Sequence, residues 1–289
     1  MTPRNRPRLI LGAAQFGQPY GPHGSQSAVS DEDATNIIQA SAQLGFSAID
    51  TARSYGRSEE IVSKFAGKIS LHTKLAEAQD PLESLATSLK ILGVQSLELL
   101  YLCHDTTRIA HRTAEFWRQI IPELADSSDK IGLSIYRDQI YSEIVDEQLV
   151  TAIQLPLHIF APELSDEELD RLRPLDRGII VRSVFAQGLL IAPLDSKIFD
   201  ASRTRTLVEL FEKTAKELGR SRLEICLQWV VSMPIVSGIV LGSRSERELV
   251  EIAKAVQSAP LAPDEVFFLR DSLPIGQFLL DPRHPGEVE

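Results

Sequence analysis

Two cysteines in 289 residues, Cys103 and Cys226, are too few for a disulfide framework and point to a reducing compartment. Positive charge is short as well: 30 Lys and Arg face 40 Asp and Glu, a formal balance of −10. Such a chain lacks the basic face that general nucleic-acid binding needs. No apolar run approaches the roughly 20 residues needed to cross a bilayer. The opening, MTPRNRPRLILGAAQFG, is basic but holds no apolar stretch of a secretory signal. We therefore expect a cytoplasmic protein with neither membrane nor nucleic-acid partners. Gly/Ser linkers, charge blocks and low-complexity tracts are missing too. One domain over residues 1–289 is expected, with 281–289 as a loose tail.

What the chain does have is apolar material, 43 % of its residues, enough to offset the entropy of ordering. It is distributed as short apolar runs alternating with longer amphipathic ones. The runs at 9–16, 47–51, 69–75, 97–104, 130–135, 150–155, 178–184 and 235–241 read as strands. They are rich in Ile, Leu and Val, as strands buried on both faces should be. Helical spacing appears at 31–44, 81–92, 114–124, 138–145, 166–172, 204–218, 223–231, 245–256 and 264–272. Eight strand–helix units in this length match an α/β fold of the (β/α)8 barrel type, eight parallel strands ringed by helices. The competitor, a doubly wound open sheet, wants a compact Gly-rich turn after its first strand. GAAQFGQPYGPHGSQSAVS is too long and irregular for that.

In a barrel of this kind, chemistry gathers at the carboxyl ends of the strands. The second run ends in Asp50 with Tyr55 just beyond it, the third in Lys74 and the fourth in His104. Each alone has an ordinary explanation: a turn-capping Asp, a solvated Lys, a structural His or a packing Tyr. Together they bring a carboxylate, a phenol, an amine and an imidazole from consecutive strands to one rim. Side chains alternate along a strand, so Cys103 and His104 are expected on opposite faces. That argues against a Cys–His nucleophile pair and makes Cys103 a core filler. The six histidines show no metal-ligand spacing, so no metal is expected.

These residues resemble the aldo-keto reductase superfamily. AIDTARSYGRSEEIV looks like its Asp/Tyr signature. HTKL and YLCH are similar to its Lys and His segments, and LILGAAQFG and IGLS to its first and fifth strands. IVLGSRSERELVEIAKAV resembles its closing strand and helix. The resemblance implies NAD(P)H-dependent reduction of a carbonyl, or the reverse oxidation of an alcohol, on a small molecule. It casts Tyr55 as general acid, Lys74 beside it, Asp50 paired with Lys74, and His104 placing the carbonyl.

The physics agrees. Hydride arriving at a carbonyl carbon leaves an alkoxide that needs a proton. A phenol with an ordinary pKa of about 10 is tuned downward by a nearby cation. A buried amine tends to lose its proton, and a carboxylate beside it opposes that.

The resemblance also implies cofactor contacts. Ser134 and Gln154 fall near the nicotinamide amide, and Arg182 takes the place of a stacking aromatic. Ser183, Gln187 and Gly188 fall on the pyrophosphate side. Ser243 and Arg244 follow Gly242, at the adenosine phosphate, where strand feeds helix and amide donors converge with a cation. Arg244 favours NADP(H) over NAD(H). Departures from the family pattern stand at Ile135, Arg182, Glu248 and Ile252, and at His158, to which no role attaches. Phe16, Tyr20 and Phe160 are the expected apolar walls of the substrate pocket. Two other readings use the same residues: a nicotinamide-binding regulatory or scaffold protein with little turnover, and a lyase or isomerase acting without net redox change.

Overall fold

The structure, a computed structural model, describes residues 6–21, 27–75, 80–103, 113–161, 163–172, 178–196 and 202–277. Eight strands, β1 (Arg8–Gly12), β2 (Phe46–Asp50), β3 (Ser70–Leu75), β4 (Leu99–Cys103), β5 (Ile131–Ser134), β6 (Val150–Pro156), β7 (Gly178–Arg182) and β8 (Val236–Gly242), pair in chain order. Every pairing is parallel, and β1 pairs with both β2 and β8, which closes the barrel. This is the (β/α)8 architecture expected from the alternation of runs.

The helices are α1 (Ala14–Gly17), α2 (Asp31–Gln43), α3 (Ser58–Ser63), α4 (Pro81–Leu92), α5 (Ala114–Ala125), α6 (Asp166–Leu172), α7 (Ser202–Glu217), α8 (Arg222–Val231), α9 (Glu246–Gln257) and α10 (Pro263–Ser272). Local signals start and stop them. The Ser30 hydroxyl accepts from Asp33 N at 3.0 Å, and Asp80 accepts from Leu82 N and Glu83 N at 2.8 and 2.9 Å. Gly93 ends α4 in the left-handed conformation that costs glycine least.

Two apolar regions hold the fold together. A large one lies between the strands and the surrounding helices. A small one fills the barrel itself: Ile10, Ala48, Leu99, Tyr101, Ala152 and Ile180, with Val240 against them. The inner set is narrow because Ala48, Ala152 and the inner-facing Gly132 leave room for Tyr101. A Cβ on Gly132 would stand 2.8 Å from the Tyr101 ring.

Two expectations need correction, and one element was not foreseen. The first run does not stay extended to residue 16: β1 stops at Gly12, and Phe16 lies in α1. Ala13 N still bonds Asp50 O, and Phe16 N then turns back onto Ala13 O as the chain leaves the rim. Residues 138–145 are not one helix but two 3-10 turns, Arg137–Gln139 and Glu143–Asp146. Arg171 takes the carbonyls of Ile140, Tyr141 and Ser142 that a continuous helix would use. So short a helix is marginal by itself. Finally, the turn α3 after β2 had no counterpart in the sequence reading.

Candidate active site

The carboxyl ends of the strands open into a cavity of about 600 Å³, a size suited to a small molecule or cofactor. Asp50, Tyr55 and Lys74 all line it. The Lys74 ammonium donates to Asp50 Oδ1 and, at 3.3 Å, to the Thr51 carbonyl. Both members of this ion pair are buried. The second Asp50 oxygen accepts from Gln154 Nε2 at 2.8 Å, and Gln154 Oε1 accepts from the Ser134 hydroxyl at 3.2 Å. Strands β2, β3, β5 and β6 thus contribute one continuous polar chain. Its side-chain nitrogens and oxygens each have at least one hydrogen-bond partner, which keeps the desolvation cost down. Lys74 Nζ also lies over the Tyr55 ring, 5.4 Å from its centroid, within cation–π range.

Tyr55 is held by its loop. Ser58 Oγ donates to Ala13 O at 2.9 Å and pairs with Thr51 Oγ1 at the same distance. Buried Glu59 accepts from Arg53 at 3.0 Å and from Thr73 Oγ1 at 2.8 Å. Gly17 packs directly under this loop: a Cβ there would stand 2.0 Å from the Tyr55 carbonyl oxygen. Only glycine permits so close an approach.

Tyr20 lines the same cavity as Tyr55 and Lys74. Burial, then the Tyr55 phenol, push Tyr20 up to about 12, so it stays neutral. Arg182 rests on the Tyr136 ring, 4.6 Å from its centroid, and donates to Ile135 O at 3.4 Å. Neither Tyr136 nor Gln15 stood out in the sequence. Tyr136 follows Ser134 by two residues, and strand alternation offers a signal for it.

The loop after β7 is strained. Ser183, Ala186 and Gln187 have φ of 59°, 46° and 57°, and Gly188 follows at 96°. Non-glycine residues in the left-handed region cost roughly 1–2 kcal/mol each. Such strain persists where the surroundings over-determine it. Here Arg222 on α8 fastens the loop by donating to Leu190 O and Ala192 O at 2.7 and 2.8 Å. Across the cavity mouth, buried Gln15 donates to the Ser243 carbonyl. Gly242 packs against the same side chain: a Cβ there would stand 2.6 Å from Gln15 Oε1, and the Gln15 amide would have to move to admit it. Arg244 Nη1 is buried and has no hydrogen-bond partner. The neighbouring Glu248 carboxylate accepts from Arg244 N at 2.8 Å.

Of the residues singled out in the sequence, Asp50, Tyr55, Lys74, Ser134, Arg182, Ser183, Gln187, Gly188, Gly242, Ser243, Arg244 and Tyr20 share this one cavity. Gln154 lies behind its wall, fully buried and bonded to Asp50. Phe16 and Phe160 do not reach the cavity. Both are buried in the outer core, where Phe160 meets Phe211 edge-on at 5.4 Å. A large aromatic gains more by full burial between barrel and helices than at a wet rim. His104 falls outside the described residues, as does the Cys103 side chain. His158 is wholly buried away from the cavity, and desolvation lowers it to about 4. Among the described residues, no three His, Cys, Asp or Glu gather to hold a metal ion, and no helix is long and apolar enough to cross a membrane.

The closed eight-stranded barrel thus carries a buried Lys–Asp pair beside a phenol at its strand ends. The aldo/keto reductase family model matches residues 8–271, and the chain belongs to that family of NAD(P)-dependent oxidoreductases acting on small-molecule carbonyls. It is 24 % identical to an uncharacterized oxidoreductase, YrpG, of Bacillus subtilis, with 86 % of this chain and 87 % of the relative covered. It is 25 % identical to a probable voltage-gated potassium channel subunit beta of Oryza sativa subsp. japonica, covering 81 % and 85 %. The holo form of the aldo-keto reductase AKR11C1 from Bacillus halodurans shares the fold: TM-score 0.73, 18 % identity, 92 % of each chain covered.

Proposed function

We propose that this protein reduces an aldehyde, ketone or sugar carbonyl to the alcohol, or runs the reverse, with Tyr55 as the proton donor and acceptor. The observation that carries the reading is the Lys74 ammonium, bonded to buried Asp50 and lying over the Tyr55 ring. The nicotinamide, when bound, supplies the hydride. Tyr55 gives its proton to the carbonyl oxygen as charge develops there. The adjacent ammonium stabilises the phenolate left behind, and Asp50 keeps the ammonium charged in a buried place. Gln154 and Ser134 fix the Asp50 carboxylate from behind.

The chain has groups suited to a dinucleotide. Arg244 offers a buried donor without a partner, as a phosphate site requires. Arg182 presents a planar guanidinium already stacked on Tyr136. Ser183, Gln187 and Gly188, all at positive φ in the segment after β7, line the same cavity. Arg244 favours NADP(H), while Glu248 at the same end narrows the preference over NAD(H). The negative balance and reducing-compartment composition suit a cytoplasmic enzyme.

NADPH oxidation followed at its near-ultraviolet absorbance, over a panel of aldehydes, ketones and sugars, tests the proposal. Turnover by the native protein and a loss of about 10²- to 10⁴-fold in Tyr55→Phe are expected. Equal turnover by Tyr55→Phe removes that residue from the chemistry. The likeness to a channel subunit favours a second reading, a nicotinamide-binding regulator with slow turnover. Tight NADPH binding with no substrate turned over supports that reading, and rapid turnover ends it.

A further inference from the structure

The catalytic rim accounts for one face of Lys74. A second aromatic ring lies against it from inside the barrel. Lys74 Nζ is over the Tyr101 ring, 5.4 Å from the centroid, matching its distance from the Tyr55 ring. Strand register sets this up, since Lys74 on β3 is paired directly with Tyr101 on β4.

Tyr101 is an expensive residue for its place. It is fully buried among Ile10, Ala48, Leu99, Ala152 and Ile180. Its hydroxyl lies near Gln154 and Asp50 without a hydrogen bond of normal geometry to either. Its ring also requires that position 132 carry no side chain. A Leu in this interior would avoid both costs. What a Leu lacks is a π face for a cation.

We propose that Tyr101 is a positioning residue for the acid–base site, its ring face holding the Lys74 ammonium seated and charged beside Tyr55. The proposal rests on the reading of Lys74 and Tyr55 as the acid–base pair. Among the described residues, the groups facing the ammonium are the Asp50 carboxylate and Thr51 carbonyl from β2 and its end, Tyr55 from the following loop, Tyr101 from β4 and, across the cavity, Tyr20. Asp50 supplies the counter-charge, and the two rings supply polarisable walls that cost the ammonium no further proton. Below Tyr101, the His72 ring meets it edge-on at 6.2 Å, and Glu98 with Arg8 closes the barrel floor. The ring is thereby held from beneath.

Two variants separate the ring from the hydroxyl. Tyr101→Phe keeps the face and removes a hydroxyl without a well-formed bond, so the pH profile of kcat/KM should match the native protein. Tyr101→Leu removes the face. Its pH profile should depart from the native one, because a cation–π contribution to the Lys74 ammonium is lost in a desolvated place. The loss should fall on kcat, with KM and NADPH affinity unchanged. Tyr101→Met serves in the same way if Tyr101→Leu folds poorly.

Carbon-13 NMR of ε-labelled lysine, with the Lys74 signal assigned by its absence in Lys74→Met, reads the same charge without turnover. The Lys74 titration midpoint should drop in Tyr101→Leu and hold in Tyr101→Phe. An unmoved midpoint in Tyr101→Leu overturns the proposal, and so does an equal shift in Tyr101→Phe. A shifted midpoint in a protein that turns over no carbonyl upholds the Tyr101–Lys74 relation and sinks the reductase reading instead.

Discussion

Gln154 donates to the Asp50 carboxylate at 2.8 Å across 104 residues of sequence, joining β6 to β2 through the top of the barrel. The same Asp50 carboxylate accepts from Lys74 through its other oxygen. Asp50 is therefore clamped on both sides, and its orientation toward Lys74 depends on an amide that does not line the cavity.

Gln154→Leu should leave one Asp50 oxygen and the Ser134 hydroxyl without their partners. A buried acceptor stripped in this way costs about 1–3 kcal/mol. At about 2–4 °C per kcal/mol for a chain of this size, the melting temperature should fall by several degrees. Because Lys74 loses a well-aimed counter-charge, kcat/KM should fall by about tenfold, one unit of 1.4 kcal/mol. Thermal melts and steady-state kinetics on the same preparation check both.

Arg244→Gln should weaken NADPH binding by about ten- to a hundredfold, the worth of charged hydrogen bonds to a phosphate. NADH affinity should change little. Fluorescence titration with both nucleotides gives the ratio. If the two affinities fall together, Arg244 is not reading the adenosine phosphate. Glu248→Gln should move the ratio the opposite way, by removing a carboxylate from that end of the cavity.

His158 makes a prediction about acid stability. Burial lowers it to about 4, whereas it titrates near 6.5 when exposed. Above about pH 6.5 both folded and unfolded chains hold it neutral, and its titration has no effect. As pH falls from there toward 4, the unfolded chain takes up the proton and the folded chain does not. Stability is lost over that window, by about 3 kcal/mol in all. Urea unfolding at pH 7.5 and pH 5 should show a smaller difference for His158→Gln than for the native protein. An equal difference in the two proteins means that His158 is not the group responsible.

The strands and most helices were legible in the sequence because their periods are local. A run such as LLYLC on β4 is apolar throughout, and α4 carries its own start at Asp80 and stop at Gly93. Elements failed where a distant side chain took over the backbone. Arg171 captures the carbonyls of residues 140–142 and divides the segment expected to be a single helix. The short turn α3 is held by Ser58 reaching back to Ala13 and by Glu59 accepting from Thr73 further along the chain, contacts that no local pattern announces.

The candidate site divides in the same way. Charge at the end of an apolar run marks Asp50 and Lys74 from sequence alone, since a carboxylate and an amine have no cheap reason to end a buried strand. Barrel closure and register decided which groups meet them: Gln154 behind Asp50, Tyr101 under Lys74, and Tyr136 beneath Arg182. The same three-dimensional packing withdrew Phe16 and Phe160 into the outer core. Periodicity says that a side chain is apolar or polar and roughly when it recurs. Only the closed sheet, by fixing the angle at which eight strands turn about one axis, says which side chain it faces.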